Sequence, residues 1–219
     1  RTLPPGLWPI HPYLFRVSVA KATMVPQGKV GVITAADGGP LDPGRLLGKA
    51  ITDHRNYQDA EQFIASGGQK GPQVDILTPG VYRILTQSGP MEGGSDAKPG
   101  LFAIRLFDAT VINENEIGLV EALDGAPLNP RHYVAESFAG HDNFQDGHEF
   151  IGKGGQRGPQ KDILLPGTYY INPLLFKVIP ESAKEVKPGE VAVVVSNVGK
   201  DPSDEVRREM AAKVRQRME

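Results

Sequence analysis

Sliding the chain along itself reveals one dominant register. With an offset of 87, Gly31 falls on Gly118, and the match runs without a gap from 31–84 onto 118–171 with roughly half the positions identical. Self-similarity of this length narrows the possible folds, because each copy must reach the same local structure and cover its neighbour's apolar edge. The shared landmarks are dense. Asp37-Gly38 falls on Asp124-Gly125, and His54, Asn56, Gln58 and Asp59 fall on His141, Asn143, Gln145 and Asp146. GGQKGPQ at 67–73 returns as GGQRGPQ at 154–160, and DILTPGVYRI at 75–84 as DILLPGTYYI at 162–171. A second register, with an offset of 161, carries PGLWPIHPYLFRV at 5–17 onto PGTYYINPLLFKV at 166–178, and Val25, Gly28, Val30 and Val32 onto Val186, Gly189, Val191 and Val193. The expected organisation is a first unit at 1–78, a second at 79–165 with an inserted polar loop at 88–98, a partial third at 166–201, and a charged tail at 202–219.

Each unit reads as β. The 26 Gly and 19 Pro are spread along the whole chain, as expected of turns punctuating short strands. Between them lie β-branched and aromatic residues such as Val30, Val32, Ile33, Tyr169, Tyr170 and Ile171, which suit a pleated surface. Val191 to Val195 form a continuous apolar run, expected to be a strand covered on both faces. DAEQFIAS at 59–66 and its copy are expected to form a helical turn that two glycines end. In the tail, DEVRREMAAKVRQRME has acids first and bases later, with Val206, Met210 and Val214 four apart. That pattern predicts a helix with a narrow apolar stripe, packing on its own domain, leading to the next one, or pairing with another chain as a coiled coil. The fold class is mainly β, as tandem antiparallel β-repeat units followed by a C-terminal α-helix.

Bulk properties exclude several classes. A net charge of −2 gives no field to hold nucleic acid or an anionic membrane. With no cysteine, a disulfide scaffold, a thiolate metal site and a cysteine nucleophile are all excluded. No apolar run approaches the roughly 18–20 residues needed to cross a bilayer. The chain opens at Arg1 without a signal-peptide pattern, and the expectation is a segment of something longer.

Candidate chemistry is sparse. His54 lies near Asp59, and His141 near Asp142 and Asp146; HDNFQDGHE at 141–149 has residue types that could hold a metal. The first copy reads HRNYQDAEQ and lacks the second His and first Asp, so a shared site would rest on His, Asn, Gln and Asp alone. Those side chains also make turn and cap hydrogen bonds, which is the favoured reading. DNFQDG at 142–147 fails as a calcium loop because Phe144 and Lys153 occupy ligand positions. GRLLGKA at 44–50 fails as a phosphate loop by spacing and by Ala50. GGQ, the tripeptide of peptide-release factors, occurs twice without the basic character that ribosome binding needs, and is read as a tight turn with a Gln hydrogen bond. No Ser–His–Asp set or placed carboxylate pair stands out, so no catalytic, cofactor-binding or metal residues and no cofactor are assigned.

The phrases PGTYYINPLLFKV, VKPGEVAVVVSNVGKD at 186–201 and GGQRGPQKDILLPG resemble the repeat region preceding the core of bacterial flotillin-like proteins of the SPFH (Band 7, prohibitin-like) family. A looser similarity is to the β repeats of the major vault protein. The resemblance covers nearly the whole chain up to about Asp201. It implies a non-catalytic scaffold: a homo-oligomer attached to a membrane through segments outside this chain, with no nucleic acid partner and an unknown protein partner. The chain departs from the family pattern in having no membrane segment and in ending on the charged helix. The rival expectations are a peptide-binding module using Trp8, Tyr13, Phe15, Tyr169, Tyr170 and Phe176, whose recurrence also suits a core role, and a metal-dependent site around His141.

Overall fold

The computed structural model describes residues 5–15, 17, 21–52, 54–84, 86, 100–130, 132–137 and 139–195. The expected insert at 88–98 and the expected tail helix at 202–219 lie outside the described residues. What is described is mainly β, and every strand pair in it is antiparallel.

In the first half, β1 (Thr23–Val25) and β2 (Lys29–Ala35) precede a short helix α1 (Ala60–Ala65), followed by β3 (Gly71–Leu77), β4 (Gly80–Tyr82) and β5 (Phe102–Asp108). In the second half, β6 (Thr110–Ile112) and β7 (Glu116–Ala122) precede α2 (Gly147–Gly152), β8 (Gly158–Leu164), β9 (Gly167–Tyr169) and β10 (Phe176–Ser182). Strand β2 is central between β3 and β5, and β1 pairs with β4; likewise β7 is central between β8 and β10, and β6 pairs with β9. The β2–β3 register shifts between Val32 and Thr34, and the β7–β8 register between Leu119 and Glu121. These are equivalent positions in the 87-residue offset.

The central strands are apolar because both their edges and at least one face are covered. Val30, Val32, Ile33 and Ala35 are buried, as are Val120 and Ala122. Each short helix is started by an aspartate: the Asp59 carboxylate accepts from the Gln62 amide at 3.1 Å, and Asp146 from the Glu149 amide at 2.9 Å. Such caps satisfy amides that have no partner within the helix. Phe63 of α1 and Phe150 of α2 are fully buried and anchor one core each.

The cores are not independent. The second takes in Leu47 and Val74 from the first half, and two polar side chains lock the junction. Asp124 is buried; its Oδ2 accepts from the Leu46 and Leu47 amides at 2.9 and 3.0 Å, and its Oδ1 from Gly125 at 2.7 Å, with Arg45 Nε 3.0 Å away. Asn172, also buried, donates to the carbonyls of Gln73 at 3.1 Å and Val74 at 2.8 Å on β3.

One expectation is corrected. Val191 to Val195 do not form a doubly covered strand: they lie outside any strand, and Val191 and Val194 are about 90% exposed. An isolated strand has no partner for its amides and carbonyls, and no described strand lies beside this segment. Among the described residues, no helix is long and apolar enough to cross a membrane.

The GGQ turn shows why its glycines are needed. A Cβ on Gly155 would stand 2.6 Å from the Phe150 ring, and one on Gly68 would press on Phe63. Gly155→Ala should therefore lower stability by about 1–3 kcal/mol through overpacking, read as a lower urea midpoint with unchanged m. An unchanged midpoint would show that the ring does not rest on this glycine.

Candidate functional site

The repeated HxN(Y/F)QD phrase builds a single local device twice. Arg55, Asn56 and Tyr57 have φ of 50°, 53° and 62°, and Asp142, Asn143 and Phe144 have 44°, 51° and 65°. Three successive left-handed residues disfavour themselves by about 1–2 kcal/mol each for most side chains. They are held by the histidine that precedes them. His54 Nδ1 accepts from the Tyr57 amide at 2.8 Å, and His141 Nδ1 from the Phe144 amide at 2.9 Å. The carbonyls of His54 and His141 accept from Asp59 and Asp146 at 3.2 and 3.1 Å, closing each loop. Both imidazoles also pack on the ring they cap, with centroids 4.1 and 4.3 Å apart.

The other members of the phrase are similarly engaged. Gln58 Oε1 accepts from the Arg83 amide and Gln145 Oε1 from the Tyr170 amide, both at 2.9 Å, tying the turn to the segment after β4 or β9. The aspartates cap the helices. In GGQ(K/R)GPQ, Gln69 accepts from the Lys49 amide at 2.7 Å and donates to the Pro40 carbonyl at 2.9 Å. Gln73 and Gln160 each donate to two carbonyls within their own turn. In PG-x-Y, the Tyr82 and Tyr169 hydroxyls donate to the Thr78 and Leu165 carbonyls at 2.8 and 2.9 Å, with each ring over its glycine.

Because Nδ1 accepts, the neutral imidazole carries its proton on Nε2. That edge faces a carboxylate in both halves: His54 Nε2 is 3.9 Å from Asp75, and His141 Nε2 is 3.7 Å from Asp162. These distances are too long for direct hydrogen bonds. The histidines of HDNFQDGHE face different ways, since His148 Nδ1 lies 3.8 Å from Asp75 on the first half. Asp75 thus sits at the junction between His54, His148 and the Tyr57 hydroxyl. Burial pushes its carboxyl above the usual range, against the opposing pull of the two histidines. The Tyr57 phenol is likewise pushed well above its ordinary value, first by burial and then by the Asp75 charge. Among the described residues no three His, Asp or Glu side chains are grouped to hold a metal ion.

A shallow depression beside the second turn is lined by Gly140, His141, Asn143, Lys161, Asp162 and Leu165, among others. The Ser137 hydroxyl donates to Asp162 at 2.6 Å. The carboxylate therefore holds the hydroxyl, whereas nucleophilic catalysis needs the imidazole against it.

The aromatics proposed for binding fall into two groups. Phe176 is core and Tyr169 packs against it, while the Tyr170 hydroxyl accepts from Gln27 at 3.2 Å. Trp8, Tyr13 and Phe15 are exposed. No protein-family model, curated protein or solved structure matches the chain.

His54→Ala and His141→Ala should each lower stability by about 1–3 kcal/mol, because a buried amide loses its acceptor. Denaturation with and without divalent metal measures this, and a metal-dependent loss would point to a ligand role. Asp75 gives a signed pH effect. With its folded pKa raised, its contribution is present below the unfolded pKa and lost as pH rises through the folded one. Wild-type stability relative to Asp75→Asn should therefore fall as pH rises above the ordinary carboxylate range, and a rise with pH there would reverse the assignment.

Proposed function

We propose that this chain is a non-catalytic scaffolding module that assembles with copies of itself. The observation that carries this reading is the use of the repeated polar residues. His54 and His141, Gln58 and Gln145, and Asp59 and Asp146 are each engaged in the same turn, cap or tie in both halves. Residues spent identically on backbone geometry at two places mark a structural unit. We further read 23–108 and 110–182 as two copies of that unit, because β6, β7, α2, β8 and β9 each begin 87 residues after β1, β2, α1, β3 and β4.

The resemblance to flotillin-like SPFH proteins and, more loosely, to vault repeats supports an oligomeric scaffold whose membrane attachment comes through segments outside this chain. A second reading, capture of a peptide by exposed aromatics, is favoured by Tyr13 and Phe15, which are 93% and 63% exposed. Light scattering of the 219-residue chain over a wide concentration range separates the two. Self-assembly predicts a mass that rises with concentration, whereas a constant monomer mass would remove it.

A further inference from the structure

Two segments at opposite ends of the described chain have the backbone of paired elements without lying in a strand. Segment 5–17 repeats 166–178 in sequence, and it also turns the same way. The amides of Leu14 and Phe15 donate to the His11 carbonyl at 3.2 and 3.1 Å, as those of Leu175 and Phe176 donate to Asn172 at 3.1 and 2.9 Å. In the interior copy this turn leads from β9, paired with β6, into β10, paired with β7.

The other end shows the complementary half. The Glu190 amide donates to the Lys187 carbonyl at 2.9 Å, and its Oε2 accepts from the Lys187 amide at 3.2 Å. The lead-in to β7 is built alike: the Glu116 amide donates to Asn113 at 3.0 Å, and Glu116 Oε2 accepts from the Asn113 amide at 3.2 Å. After this lead-in, 116–122 become a buried central strand, while Val191, Val193 and Val194 are exposed at 90%, 86% and 91%. Phe15 and Val17 are exposed at 63% and 60%, whereas their counterpart Phe176 is 2% exposed and Val178 packs on the second core.

We propose that the N-terminal segment of one copy of this chain pairs with 184–195 of a second copy, as β9 and β10 pair with β6 and β7. The inference rests on the assembly reading above and specifies its interface. Transferring the interior pairs Gly167–Ile112, Val178–Val120 and Ser182–Glu116 sets Gly6 opposite Val186, Val17 opposite Val194, and Lys21 opposite Glu190. The last pair is complementary in charge. Its counterpart in the first half is Lys29 opposite Asp108, an ion pair at 2.6 Å, so the two signs are exchanged together between these sites.

One difference of 190–195 from β2 and β7 bears on the fit: Ala192 stands where Gly31 and Gly118 do. A methyl at Gly118 would meet Ile112 at 2.9 Å and Val178 at 3.1 Å, but at Gly31 the nearest atom of Val25 is 3.3 Å away. Val186 is the shorter residue of that pair, so the methyl requires a shift of a few tenths of an ångström. Strand addition of this kind supplies main-chain hydrogen bonds to both segments. Because it joins unlike surfaces, it propagates head to tail, as an open array or a ring.

The chain has no cysteine, so single-cysteine full-length variants test the register directly. Under mild oxidation, Val17→Cys mixed with Val194→Cys should form a disulfide-linked heterodimer, since opposed strand residues lie within disulfide reach. Val17→Cys mixed with Val193→Cys should give several-fold less, because the neighbouring side chain points to the opposite face. Lys21→Glu and Glu190→Lys should each weaken association by about threefold to tenfold, with recovery when both are combined. Association without preferential Val17–Val194 linkage would overturn this interface and leave the assembly reading standing. A chain that stays monomeric at every concentration would overturn both.

Discussion

The hydrogen bond from the Tyr57 amide to His54 Nδ1, repeated from Phe144 to His141, holds three residues in a conformation that most side chains avoid. Much else follows from it. The left-handed turn drops Tyr57 or Phe144 into the core, leaves the next aspartate in position to cap a helix, and points Gln58 or Gln145 at the backbone just beyond β4 or β9. The helix in turn places Phe63 or Phe150 over the central strand, where the second glycine of GGQ receives the ring. A histidine suits this role because one edge accepts the amide while its face packs on an aromatic ring, so the polar group is satisfied without leaving the core.

The junction between the halves uses a different chemistry. Asp124 and Asn172 are both buried, and both direct their polar atoms to backbone groups of the first half, at 2.8–3.1 Å. Buried polar groups carry a large penalty unless satisfied, so these contacts define one relative placement more sharply than apolar packing does. Neither is duplicated. The 87-residue equivalent of Asn172 is Leu85, and Asp37, equivalent to Asp124, is exposed and bonds its own next amide. At the junction the two halves thus differ in residue at Asn172 and in contacts alone at Asp124, whereas the turn and cap residues keep both identity and role.

Legibility followed the same division. The β character, the turn role of GGQ and PG-x-Y, and the structural use of His, Asn and Asp were readable, because those residues act within a few positions of themselves. The ties from Gln58 to Arg83 and from Gln69 to Lys49 and Pro40 span 20–29 positions, and only the folded chain shows them. The covered strand expected at Val191 to Val195 was not found. Apolar, β-branched sequence favours an extended chain, but a strand also needs a neighbour to bond with, and composition says nothing about whether one lies alongside. Nor did any spacing show that Asp75 would meet His148, 73 positions later in the chain, across the junction. A signal existed only in the copy difference: His148 stands where the first copy has Glu61.

The sequence by itself determined the local grammar: which turns form, which residues cap them, and where glycine is indispensable. Those choices depend on atoms a few bonds apart, so they repeat wherever the residues repeat. Tertiary structure alone decided which strand becomes central, which aromatics are covered, and how the halves share a core. Matching phrases therefore ended differently. PGTYYINPLLFKV is paired and buried at its Phe176, while PGLWPIHPYLFRV holds the same turn with Phe15 exposed. The physical reason is that burial and pairing belong to the neighbour as much as to the segment.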